Sequence, residues 1–298
     1  MFLKIKILLY LLYIFLHIFS NALNAQNLNF NSNNDQSPIE VSANKGIEWQ
    51  REEKIFIARG SAKAIQGDIK VYADELIAHY RDIDGQNADV YRVDALGNVI
   101  IYSKNETARG SAAVYDFEKD VLVMEGSPSI LDTPDGKVIS YETIQFWGKD
   151  DIALAKGNAQ AERDNNKLFA DMLVARFQTG NEKSINNDNQ NQENARISMI
   201  EGYGNVRLET KSGEVILGER GKYDLISEVA ILDGNVRVKS ENSQMKGGFA
   251  VIDTAKGVST LYPSATESGY SRPGKKPRVS AVLVPKPKRV KNLIDSDP

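Results

Sequence analysis

The chain has 298 residues, 37 Lys and Arg against 40 Asp and Glu, two histidines and no cysteine. A formal net charge of -3 implies no nucleic-acid partner for the molecule as a whole. The missing cysteines exclude disulfides, a thiolate nucleophile, a Cys-based metal site and a lipid-modified N-terminal Cys.

The N-terminus reads as an address. Lys4 and Lys6 precede an apolar run from Ile7 to Phe19, followed by small residues at Ser20 and Ala22. That grammar predicts a cleaved secretory signal over residues 1–25, the run being short for a membrane span. An uncleaved anchor is the rival reading. Residues 26–37 are Asn-rich without apolar period and are expected to be a flexible leader. Pro38 to Ala43 then alternates cleanly, predicting a half-buried strand.

From here one pattern is written six times. A glycine anchor opens Gly60-Ser61-Ala62, Gly97-Asn98-Val99, Gly126-Ser127-Pro128, Gly157-Asn158-Ala159, Gly204-Asn205-Val206 and Gly234-Asn235-Val236. A small residue follows each at nearly fixed distance: Ala73, Gly110, Ser140, Ala170, Gly218 and Gly247. Asp253 to Pro263 reads as a seventh, truncated copy. Such self-similarity marks a stack of units, none of which buries its apolar face alone. Two polar insertions, Asp82 to Asp89 and Gly180 to Ala195, are expected as loops at a unit's edge. Asp135-Gly136 and Ser212-Gly213 supply hairpin residues that tolerate positive φ.

Within a unit the apolar period is two. Around the small residue the parity slips by one: Ile69, Val71 and Ala73 share a face, then Leu76, Ala78 and Tyr80. The slip recurs at Ala170 and Gly218 but not cleanly at Ser140. A parity change keeps an apolar set inward only where the strand bulges or turns a corner. No long 3.6-period segment survives beyond the signal. The chain is therefore predicted to be all-β, either an antiparallel jelly-roll-like stack or a parallel β-solenoid.

Catalytic chemistry finds little support. His17 lies in the signal, and His79 falls where other copies carry Asp116, Arg176 or Asp224, the mark of a solvated strand position. There is no Gly-x-Ser-x-Gly elbow and no Gly-rich phosphate loop. Acids such as Glu125 and Asp233 recur at equivalent repeat positions, which favours an architectural role over one asymmetric carboxylate pair. No catalytic residue, metal ligand or cofactor is assigned. The apolar rows are the candidate site. Parity alone places Val41, Ile55, Ile57, Val99, Ile101, Val121, Val123, Val206, Leu208, Val229, Ile231, Val236 and Val238 along one lipid-binding groove, with small Ala62, Ala64, Ala159, Ala161 and Ala175 giving it room.

Pro38-Ile39-Glu40-Val41-Ser42-Ala43, Arg59-Gly60-Ser61-Ala62, Tyr72-Ala73-Asp74-Glu75-Leu76-Ile77-Ala78-His79-Tyr80 and the Gly-Asn-Val repeats resemble the LptA/OstA-like family of periplasmic lipopolysaccharide-transport bridges. The resemblance runs from about Pro38 to Pro263. It implies an open, twisted β-jelly-roll of stacked antiparallel repeat units spanning 38–263, whose groove shields lipid A acyl chains of lipopolysaccharide. It also implies a periplasmic location and end-to-end stacking with an LptC-like inner-membrane protein, an LptD-like outer-membrane protein and other copies of itself. An N-terminally anchored LptC-like component and a secreted polysaccharide-binding or polysaccharide-modifying β-solenoid are the alternatives. Residues 264–298 are expected to form a disordered tail, with eight Lys or Arg and no acid between Arg272 and Lys291.

Overall fold

The computed structural model describes residues 39–83, 87–103, 105–134, 136–179, 195–253, 255–256, 258–266, 268 and 279–283. The proposed signal and leader, most of the second insertion and most of the basic tail lie outside them.

Eighteen strands form one sheet. They are β1 (Glu40–Ser42), β2 (Gly46–Gln50), β3 (Ile55–Gln66), β4 (Ile69–Ile83), β5 (Asn87–Tyr102), β6 (Thr107–Asp116), β7 (Val121–Glu125), β8 (Ser129–Thr133) and β9 (Gly136–Ser140). There follow β10 (Thr143–Trp147), β11 (Ile152–Arg163), β12 (Asn166–Thr179), β13 (Ala195–Glu209), β14 (Val215–Asp224), β15 (Val229–Ser240), β16 (Ser243–Asp253), β17 (Val258–Tyr262) and β18 (Ser280–Leu283). Every pairing is antiparallel, which removes the parallel solenoid. Both insertions end in longer hairpins: β4 and β5 pair out to Ile83 and Asn87, and β12 and β13 out to Thr179 and Ala195. The tail, expected to lack structure, supplies β18 on β16.

The long strands β3 to β6 and β11 to β16 cross a seam where the register jumps. In β5, Leu96 pairs with Ala112 but the next pair is Val99 with Gly110, so Gly97-Asn98 opposes the single residue Ser111. The same two-against-one bulge recurs at Gly60-Ser61, Gly157-Asn158, Gly204-Asn205 and Gly234-Asn235. Both bulge residues are left-handed, as at Gly97 (φ 74) and Asn98 (φ 48). Glycine meets that demand without a Cβ penalty, and asparagine is among the few other residues that tolerate it. A bulge bends its strand. Repeated in register, it folds the sheet into two facing layers, one on either side of the seam. The result is an open, twisted β-jelly-roll of stacked antiparallel units.

An acid from the preceding strand locks three of these bulges. Asn98 Nδ2 donates to Asp74 Oδ2 at 2.8 Å, Asn205 Nδ2 to both oxygens of Asp171 at 3.0 Å, and Asn235 Nδ2 to Glu219 Oε1. A Cβ on Gly97 would lie 2.2 Å from Asp74 Oδ2, and one on Gly204 2.1 Å from Asp171 Oδ2. The Gly-Asn repeat is thus one half of a corner whose other half is the acid after the small residue.

The third unit is built differently, which explains why Ser140 fails the slip. Three residues, Gly126 to Pro128, separate β7 from β8, and two, Tyr141 and Glu142, separate β9 from β10. Each crossing carries one residue more than its neighbours, and the strands break instead of bulging. Ser129 and Ser140 face each other there, both fully buried, and the single Ser140 hydroxyl proton is shared between the carbonyls of Thr143 (3.0 Å) and Lys156.

Candidate functional site: a two-layered apolar interior

Register traces the interior strand by strand. In the first layer one inward row runs Ala58, Leu76, Ala95, Ala113, Met124, Ile144, Ala155, Leu173, Gly202, Gly221, Leu232, Ala250 and Leu261, each paired with the next. The facing row of the second layer runs Val41, Ala64, Val71, Ile101, Ala108, Leu131, Val138, Ala161, Leu168, Leu208, Ile216, Val238 and Met245. Neither row contains a charged or polar side chain.

The two layers meet at the seam. Ala62, Val99, Met124, Ala159 and Val236 are at most 1% exposed, and the largest buried cluster draws on both layers, joining Leu76, Tyr115 and Phe146 to Ala73, Ile101 and Ala108. Farther out the same inward rows are only half-buried, at Phe56, Ala78, Val93, Ala153, Ala175 and Ile200 in one layer and Val71, Leu131, Val138, Leu168 and Leu208 in the other. The interior is closed at its apex and loosens toward its margins. Packing also changes along the stack. The first half adds ring contacts, Tyr115 to Phe117 at 4.6 Å and Phe146 to Phe177 at 6.1 Å. From β11 on two smaller clusters follow, with Val206 standing 3.2 and 3.3 Å from where Gly202 and Gly221 would carry a Cβ.

Of the thirteen residues chosen by parity, seven point into this interior: Val41, Val99, Ile101, Val206, Leu208, Val236 and Val238. Six do not join them. Ile55, Ile57, Val121, Val123, Val229 and Ile231 lie on the opposite face of the first layer, since their neighbours Phe56, Ala58, Leu122, Met124, Ala230 and Leu232 hold the inward positions. The reason lies in the bulge. The two bulge residues at Gly-Asn carry parity unchanged through the seam, whereas the single residue opposite them, after Ala73, Ala170 and Gly218 on the partner strands, reverses it. The usable signal was the small residue two places before the glycine (Ala58, Ala95, Ala155), where converging layers leave little room.

The outer face of the first layer mixes ion pairs with a few buried apolar side chains, Ile57, Val121 and Phe249 among them. Arg59 with Glu75 (2.9 Å), Arg92 with Asp94 (2.7 Å) and Arg220 with Asp233 (3.3 Å) form ion pairs there. His79 Nε2 lies 2.8 Å from Asp94 Oδ2 on the same face. A concavity of about 640 Å³ lined by Lys70, Tyr72, Ile100 and Tyr102 opens on the outside of the second layer, remote from the interior rows. Among the described residues no group of three or more His, Cys, Asp or Glu is placed to hold a metal ion.

Away from the Ser129–Ser140 pair at the seam, polar side chains gather on the inward face of the second layer at its outermost level. Glu106 is 6% exposed, and burial pushes its carboxyl up to about 7. Burial likewise raises the Glu214 carboxyl. Asn166 and Thr210 are buried beside them in the same level. In the first layer Tyr115 donates to Asp120 at 2.6 Å, and burial first, then that carboxylate, raises its phenol. Sequence reading missed this polar rim because its members sit at hairpin ends, where polar residues are the default.

Residues 40–146 match the family described as LptA/(LptD N-terminal domain) LPS transport protein. The match covers β1 to β10, about a third of the chain. An uncharacterized protein of Rhizobium meliloti (strain 1021) is 26% identical over 102 residues, which is 33% of this chain and 54% of that protein. The chain therefore spans about half the length of the curated relative it matches. The crystal structure of LptH, the LptA-homologous periplasmic component of the lipopolysaccharide transport device of Pseudomonas aeruginosa, aligns over 84% of this chain and 98% of its own. Identity there is 13% and the TM-score 0.21. The matched family ends at β10, yet β11 to β16 repeat the same Gly-Asn seam and extend the same inward rows.

Proposed function

We propose that this chain is a periplasmic, non-enzymatic carrier of lipopolysaccharide, holding the acyl chains of lipid A between its two layers. The carrying observation is the pair of unbroken apolar rows, buried at the seam and half-exposed at the margins, in a chain whose residues 40–146 match a lipopolysaccharide-transport family. Apolar surface exposed to water costs about 25 cal/mol per Å². A cleft lined on both sides by aliphatic residues removes that cost from a multi-chain lipid without altering it chemically. The terminal strands fit a bridging role. Among the described residues β2 and β17 end the first layer and β1 and β18 the second, each paired on one side, leaving ladder groups that a neighbour's edge strand would complete. The neighbours we propose are an LptC-like protein on the inner-membrane side, an LptD-like protein on the outer-membrane side and further copies joined head to tail.

Leu208→Arg places a charge in the inward row, whereas Ile231→Arg places one on the outer face. Purified chains carrying each change should both remain β-rich by circular dichroism, and only Leu208→Arg should lose retention of lipopolysaccharide in a pull-down. Equal retention by the two variants removes the interior from the carrier mechanism.

A further inference from the structure

The polar rim of the second layer contains two buried groups that nothing in the fold uses. Glu106 Oε2 and Arg163 Nη1 are both buried and lack a hydrogen-bond partner among the described residues. Buried polar atoms are nearly always paired, so each orphan asks for an explanation. These two share one inward level. Glu106 precedes the Thr107–Asp132 pair and so stands opposite Thr133, which pairs with Gly136. Gly136 stands beside Arg163, the Cβ of which lies 3.5 Å from where a Gly136 Cβ would sit. Gly136 was expected to serve a left-handed turn. Its φ is not positive, and what it provides is space, since its Cβ would lie 2.3 Å from the Glu162 carbonyl oxygen. Arg163 pairs with Asn166, whose Nδ2 donates to the Arg163 carbonyl at 3.2 Å and whose Oδ1 accepts from the Lys211 amide at 3.0 Å. The rim around Arg163 is thus already fixed. Three strand spacings, about 14 Å, separate the Glu106 and Arg163 backbones, with only a threonine and a glycine between.

We infer that this stretch, from Glu106 across Thr133 and Gly136 to Arg163, is a cradle for the phosphorylated sugar headgroup of the amphiphile whose chains lie in the apolar rows. The inference rests on the carrier reading and assigns it a headgroup site. A carboxyl at one end and a guanidinium at the other disfavour ligands of a single charge type. An anion with hydroxyl or amide donors satisfies both, Arg163 Nη1 donating to a phosphate oxygen and Glu106 Oε2 meeting a donor of the sugar. The rim stands directly outside the half-buried aliphatic level, so chains and headgroup would lie in the order an amphiphile requires. The side chain of Arg163 already leans on Asp164 at 3.4 Å through Nε, leaving Nη1 as the free donor.

The test measures affinity of the purified chain for lipid A with its phosphates and for the same lipid chemically dephosphorylated. Losing one charge-assisted hydrogen bond predicts that Arg163→Met binds the phosphorylated lipid roughly 10- to 100-fold more weakly than wild type. Both proteins should bind the dephosphorylated lipid equally, and Arg163→Lys should recover part of the loss while melting like wild type. Lys137→Ala, on the outer face, should change neither affinity. Undiminished binding of phosphorylated lipid by Arg163→Met overturns the headgroup site and leaves the carrier reading standing, whereas a wild type that binds neither lipid overturns both. Displacement of bound lipid by millimolar inorganic phosphate alone would also overturn it, marking a free-anion site.

Discussion

The two halves of the stack share a backbone and differ in filling. From β3 to β10 one continuous cluster of thirteen buried residues joins both layers, reinforced by Tyr115, Phe117 and Phe146. From β11 to β17 the interior divides into clusters of five and six, with glycines at two successive inward positions, Gly202 and Gly221. The Gly-Asn seam and its acid lock are nonetheless the same in both halves, at Asp74 with Asn98 and at Asp171 with Asn205. The corner therefore sets the architecture, and side-chain volume along the rows varies without disturbing it. That separation suits a scaffold whose interior must accept something other than its own side chains.

Core truncations should read out the difference in filling most strongly. Phe146→Ala removes a ring from the continuous cluster and is expected to cost about 3–5 kcal/mol in urea unfolding, against about 2–3 for Leu232→Ala in the sparser half. Similar costs would erase the distinction between the halves. The seam should behave alike in both. Gly97→Ala and Gly204→Ala combine a left-handed φ with a collision against a carboxylate, and each should lose about 2–4 kcal/mol. Gly213→Ala is left-handed with open space around it and should lose only about 1 kcal/mol.

Each half carries a buried carboxyl that burial raises, Glu106 in the first and Glu214 in the second, and Glu106 sets the clearest pH window. The Glu106 carboxyl is raised to about 7 from an ordinary value of 4.5, so the folded state holds its proton more tightly than the unfolded chain. The resulting stabilisation is complete below about pH 4.5 and is lost as pH rises through about 7, amounting to at most about 3 kcal/mol. Glu106→Gln should flatten that slope in denaturation curves taken across this window. The lock itself gives a modest effect. Asn98→Ala should cost about 1–2 kcal/mol, and Asn98→Gly less, since glycine keeps the left-handed backbone and loses only the hydrogen bond to Asp74.

Much of the fold was legible because the repeat is a backbone requirement written in residue types. Gly-Asn marks two left-handed positions, the small residue marks the corner opposite, and alternation marks strands. The parity slip at Ala73, Ala170 and Gly218 was readable for the same reason. What could not be read was how many residues the glycine side of the bulge contributes, and an error of one there sent Ile55, Val121 and Val229 to the wrong face. β-Branched residues gave no warning, because both faces of the first layer carry them. The acid lock joins residues 16 to 34 positions apart, and the rim brings Glu106 and Arg163 to one level from opposite sides of three strand spacings, neither of which a local pattern encodes.

The central claim is that the rows traced by register, and not the opposite face, take up lipid. Photoreactive residues placed singly at Ile101, Leu208 and Val238, and at Ile57, Val123 and Ile231, should be irradiated with radiolabelled lipopolysaccharide. Labelling confined to the first three is the expected result. Labelling of the second three, with the first three silent, would contradict it.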